Sequence, residues 1–116
     1  MFKRILVAVD GSKTSLKAMD TAIGLQQLSP DTEILLLCVY KHHSLFEASL
    51  SIDRPVAMDI PDKVLSDYAK EVVNHAKTRA REHGATRVRG FVKAGRPSKT
   101  IVKFAQDKDA DLIVVG

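Results

Sequence analysis

The chain has 116 residues, 45% of them hydrophobic, and a formal net charge of +4 from 18 basic against 14 acidic side chains. That is enough chain for one core burying roughly two-thirds of its unfolded surface. With no Trp, 2 Tyr and 4 Phe, it lacks the aromatic-and-basic alternation that stacks nucleobases, which argues against a nucleic-acid partner.

No stretch reaches the ~18 consecutive apolar residues of a membrane span. The apolar run after Met1-Phe2-Lys3-Arg4 meets Asp10 too soon for a secretion signal, so a cytoplasmic protein without membrane insertion is expected. The lone Cys38 excludes an intrachain disulfide or a cysteine-rich zinc site, and its place in an apolar run predicts inert packing.

In chain order, residues 5 to 9 (Ile5-Leu6-Val7-Ala8-Val9) form a continuous apolar, branched run, the pattern of a strand covered on both faces. Asp10-Gly11-Ser12 is the turn out of it, and the next stretch places Leu16, Met19, Ile23 and Leu28 near one helical face. Ser12 or Thr14 can cap that helix, and Ser29-Pro30-Asp31 ends it. Residues 33 to 40 predict a second buried strand. Residues 41 to 60 mix polar and apolar groups around Pro55 over a length unusual for a simple connection, which predicts functional cover or a partner surface anchored by Leu45, Phe46, Leu50, Ile52 and Val56.

Pro61-Asp62 opens a long helix with Leu65, Tyr68, Ala69, Val72, Ala76 and Ala80 at three- and four-residue steps, closed by His83-Gly84. Residues 87 to 93 alternate charged and apolar side chains, as an edge strand does. Gly95-Arg96-Pro97-Ser98 starts a third helix through Ile101, Val102, Phe104 and Ala105, and residues 112 to 115 form the last strand. The order is β-α-β-α-β-α-β. Right-handed crossovers then make a doubly wound parallel α/β sheet the economical solution.

Few residues carry chemistry. Asp10, at the carboxyl end of the first strand, has three readings: hydrogen bonding to a ribose or adenine, Mg²⁺ binding, or capping of the next helix. Gly11 permits the turn, but neither G-x-G-x-x-G nor G-x-x-x-x-G-K-[ST] is present. His42-His43 are neighbours without a third ligand close in sequence, and His75 and His83 share a helix with Lys77, Arg79 and Arg81, the pattern of a solvated basic face. Arg96 beside a helix start can hold an anion, though Pro97 fits a first turn for structural reasons alone. Lys41 stands just past the second strand, within range of a phosphate or free in solvent.

Taken together, ILVAVDGS, LLLCVY, AGRPSKTIVKFA and DADLIVVG resemble the universal stress protein family, and the segment HHSLFEASLSIDRPVAMDIPD resembles its ATP-binding bacterial subgroup, whose members can accompany membrane transporters. The resemblance implies a Rossmann-like nucleotide-binding sandwich, a single domain over residues 1 to 116, frequent homodimers, and ATP, with or without Mg²⁺, as ligand. Asp10 matches the family's nucleoside-contacting acid. Ala8 and Val9 match its adenine pocket, Val39 the position whose backbone reads the adenine edge, and Val115 and Gly116 the last strand and first glycine of its G-x2-G-x9-G-[ST] phosphate loop.

Against that pattern the rest of the loop, the last helix and the fifth strand are absent, which predicts weaker triphosphate binding and association through the edge of the last strand. A receiver domain would need an acid where the third strand ends in Phe91-Val92-Lys93, and an adenylating enzyme a loop such as S-G-G-x-D-S where Asp10-Gly11-Ser12-Lys13 stands. A binding and regulatory protein is therefore expected, with slow ATP hydrolysis or adenylation of the nucleotide-α hydrolase type as the alternative.

Overall fold

Short branched apolar runs without polar alternation suit strands buried on both faces, and the two central strands are built that way. The computed structural model describes residues 2–41 and 62–116. In order it forms β1 (Arg4–Ala8), α1 (Lys13–Leu28), β2 (Glu33–Tyr40), α2 (Asp62–Glu82), β3 (Val88–Ala94), α3 (Pro97–Asp107) and β4 (Leu112–Val114). The four strands pair in parallel in the order β3-β2-β1-β4. The expected doubly wound α/β fold is therefore present, with β1 and β4 one residue shorter at their ends than the apolar runs suggested.

Side chains of period two divide the core between the two faces. Ile5, Val7 and Val9 of the first run and Ile34, Leu36 and Cys38 of β2 pack with α1 and α2. Leu6, Leu35 and Leu37 pack beneath α3 with Phe104 and Ala105. Burial of each large side chain here contributes about 1.5–3 kcal/mol. Cys38 lies in the first cluster, and burial, reinforced by the charge of Asp10, pushes its thiol pKa up, as inert packing requires.

The helical stripes differ from expectation in detail. Leu28 is 75% exposed, because at about 100° per residue the core position following Met19 and Ile23 is Gln26. Tyr68 is also exposed: the stripe of α2 is centred on Ala69, Val73, Ala76 and Ala80, so Val73 belongs to the core and Tyr68 to its flank. Val102 of α3 faces outward for the same reason. Small residues along α2 let it approach the sheet closely. A Cβ on Gly90 would come within 2.2 Å of Val73 Cγ1, so β3 needs glycine at that crossing.

Buried Gln26 is a polar clamp at the amino ends of the strands. Its Nε2 donates to Thr32 O at 2.7 Å and Arg87 O at 3.3 Å, while its Oε1 accepts from Thr86 N at 3.2 Å. Nearby, the Asp111 carboxylate accepts from the backbone N–H groups of Lys3 and Arg4, joining the starts of β1 and β4. Glu33 accepts from Arg4 and Arg89, joining β1, β2 and β3. No helix among the described residues is long and apolar enough to cross a membrane.

Candidate functional site

From β1 the chain proceeds to β2 and β3 on one side, then returns past β1 to β4, so the strand order reverses between β1 and β4. Helices α1 and α3 flank that point from opposite faces and leave a crevice beyond the strand ends, where open parallel sheets bind ligands. Here it is a cleft of about 250 Å³ lined by Ala8, Val9, Asp10, Ser15, Leu37, Val39, Pro97, Ile101, Val115 and Gly116. All six positions singled out in the sequence, Ala8, Val9, Asp10, Val39, Val115 and Gly116, meet in it.

Asp10 is exposed at the cleft. Its Oδ1 accepts from Ser12 N at 2.9 Å, closing a short turn, while Ser12 Oγ accepts from Ser15 N at 3.2 Å and caps α1. Capping therefore falls to Ser12 rather than to Asp10 or Thr14. Hydrogen bonding from Ser12 holds the Asp10 carboxyl below its ordinary value of 3.8, so the group is anionic at neutral pH. Gly11 sits at φ +86°, a region that penalises any side chain and lets the turn deliver Asp10 and the start of α1 to the same opening.

Val39 contributes its backbone. Glu33 N donates to Lys3 O and Val9 N donates to Leu37 O at 2.9 Å each, so the odd-numbered residues of β2 turn their backbone groups toward β1. Ile34 N donates to Arg87 O and Gly95 N donates to Tyr40 O, so the even-numbered residues face β3. Two residues beyond Leu37, the N–H and C=O of Val39 point past the end of β1 into the cleft. They form an adjacent donor and acceptor, the pair an adenine edge complements.

Gly116 closes the opposite wall. A Cβ there would lie 2.4 Å from Thr14 O and 2.8 Å from Ser15 N, so only glycine lets the exit of β4 lie against the first turn of α1. Sequence reading missed Ser15, Leu37, Pro97 and Ile101. Leu37 was recoverable as the neighbour of Val39 on the same strand face. Pro97 and Ile101, four apart on α3, reach the cleft only because that helix crosses back over the sheet.

Pro97 lines the cleft and the exposed Arg96 does not, which favours helix initiation over anion binding for that turn. Lys41 is exposed at the end of β2, as are His75 and His83 on α2. His42, His43 and the apolar anchors between residues 45 and 56 lie outside the described residues. Among the described residues, no three His, Cys, Asp or Glu side chains come together as a metal site.

A doubly wound parallel sheet with a cleft at its switch point defines an α/β protein of the Rossmann-like class. Within that class the chain belongs to the universal stress protein family, whose family model matches residues 1–116. It is 32% identical over 119 residues to universal stress protein YxiE of Bacillus subtilis (strain 168), an alignment covering 100% of this chain and 79% of that protein. The crystal structure of Rv1636 from Mycobacterium tuberculosis H37Rv is similar with a TM-score of 0.69 at 26% identity, covering 99% of this chain and 71% of that one. A universal stress protein crystallised in complex with cAMP is similar with a TM-score of 0.75 at 25% identity, covering 99% and 76%.

Proposed function

We propose that the cleft binds an adenine nucleotide, with ATP as the ligand, and that the protein is a cytoplasmic, homodimeric regulatory module rather than an enzyme. The observation that carries this reading is the convergence of the Asp10 carboxylate, the backbone pair of Val39, which has no backbone partner among the described residues, and the close-packed Gly116 on one cleft at the switch point. Apolar side chains of Ala8, Leu37 and Ile101 would sandwich the base, Val39 would read its edge, and Asp10 would accept from a ribose hydroxyl. The positive end of α1 would face the phosphates across Gly116.

A similar protein that binds cAMP supports adenine as the recognised base. Mg²⁺ normally binds through one or two carboxylates together with substrate phosphates, so it would arrive with the triphosphate and meet Asp10 alone. Regulation of a membrane transporter is the proposed output, resting on the resemblance of residues 42 to 62 to transporter-associated members of the family. Calorimetry with ATP, adenosine and GTP tests the binding, and adenine-selective affinity is the expected result. Product analysis after long incubation should return intact ATP. Steady multiple turnover would overturn the regulatory reading in favour of hydrolysis.

A further inference from the structure

Across the sheet from the cleft, β3 has no strand on its outer side among the described residues. Arg87 O accepts from Ile34 N and Gly95 N donates to Tyr40 O, so residues 89, 91 and 93 turn their backbone groups toward β2. Val88, Gly90, Val92 and Ala94 therefore present theirs outward, an open row along the seven residues of the strand.

Grooves flank this row on both faces. On the α3 side a cavity of about 270 Å³ is lined by Lys93, Lys99 and Lys103 around Thr100 and Phe104, with Asp107 as its one acid. Asp107 lies 4.0 Å from Lys103, and Lys93 and Lys99 have no ion-pair partner among the described residues. Lys108 Nζ adds a further cation 5.1 Å from the centroid of the Phe91 ring. On the α2 side a more open groove of about 460 Å³ is floored by Val73, Gly90 and Val92, with Lys70 and Asn74 at its rim.

An added strand sends alternate side chains to the two faces of a sheet. One set would meet the ammonium groups, the other the valine floor. We propose that the outer edge of β3 is a docking site for an extended segment of a protein partner that alternates acidic and apolar residues, pairing with β3 as an additional strand. Backbone bonds to residues 88, 90, 92 and 94 supply affinity, and the two unlike grooves select the sequence. A second copy of this edge is disfavoured, because its own lysines would be brought against these.

The probe is a short fluorescein-labelled peptide alternating glutamate and valine, compared with peptides of the same composition in which the two residues are in separate blocks, or in which lysine replaces glutamate. The alternating peptide should bind by anisotropy, and the lysine and block versions at least about tenfold more weakly. Amide exchange at Gly90 and Val92 should slow on binding, while the cleft keeps its nucleotide affinity. The exposed double variant Lys93→Glu/Lys99→Glu, with its melting temperature checked, should lose the acidic peptide by a similar factor, and N-methylation of alternate peptide amides should abolish binding. Equal affinity for the lysine or block peptide, binding that survives N-methylation, or amides at Gly90 and Val92 already protected in the free protein would each overturn the proposal. The last result would assign the edge to the protein's own chain.

Discussion

The two ends of the sheet are built on opposite principles. At the amino ends, polar groups are spent on one another: Gln26 links the end of α1 to the starts of β2 and β3, Asp111 holds the backbone of Lys3 and Arg4, and Glu33 joins two arginines. At the carboxyl ends, polar groups are left available: the Asp10 carboxylate is exposed and the Val39 backbone pair looks into a cleft. Parallel strands make this division possible, since all amino ends meet at one edge and all helix-forming turns at the other. Changes at the amino end should therefore cost stability and spare binding, and changes at the carboxyl end should do the reverse.

The largest effect is expected from Gln26→Ala, which takes the amide partner from the buried Thr32 carbonyl and from the part-buried Thr86 N–H and leaves Arg87 O with Ile34 N alone, a loss of about 3 kcal/mol. Urea unfolding measures it, and nucleotide affinity should be unchanged in the folded fraction. Asp10→Ala should give the mirror result, weakening adenine-nucleotide binding by about 2 kcal/mol, roughly thirtyfold, with little change in melting temperature. A stability loss with unchanged affinity would return Asp10 to a purely structural role.

Ser12→Ala, two residues away, separates the neighbouring tasks. It removes the helix cap and should cost about 1 kcal/mol of stability, with a smaller effect on affinity than Asp10→Ala. Calorimetric melting and nucleotide titration of the two variants side by side make the comparison.

The smallest effect is acid sensitivity. Backbone N–H groups of Lys3 and Arg4 hold the Asp111 carboxyl below its ordinary 3.8, and Ser12 does the same for Asp10. Burial pushes Glu33 up, but Arg89 and Arg4 outweigh it and its net shift is downward. Carboxyls depressed in the folded state stabilise it above their unfolded pKa and lose that contribution as pH falls through the folded value. These three groups should thus leave stability level above about pH 5 and lower it progressively below about pH 4. Asp111→Asn should flatten part of that acid limb in pH-resolved melting curves, and a stability that rises on acidification would contradict the assignment.

The sequence by itself determined the strands, their parallel pairing and the acid at the end of β1, because short branched apolar runs bounded by turn residues suit buried strands, charged and apolar alternation suits an edge strand, and a helix between successive strands makes them parallel. It also marked Val39, Val115 and Gly116 through their resemblance to a known pattern. Tertiary structure alone decided which way the Val39 backbone faces, since that depends on where β1 stops. It supplied the partners that let the Gln26 amide be buried, from Thr32, Thr86 and Arg87, the last two some sixty residues away in the chain. It also brought Pro97 and Ile101 to the cleft and, among the described residues, left the β3 edge open between two unlike grooves. These outcomes depend on contacts between segments distant in sequence, and no local pattern of hydrophobicity or propensity encodes them.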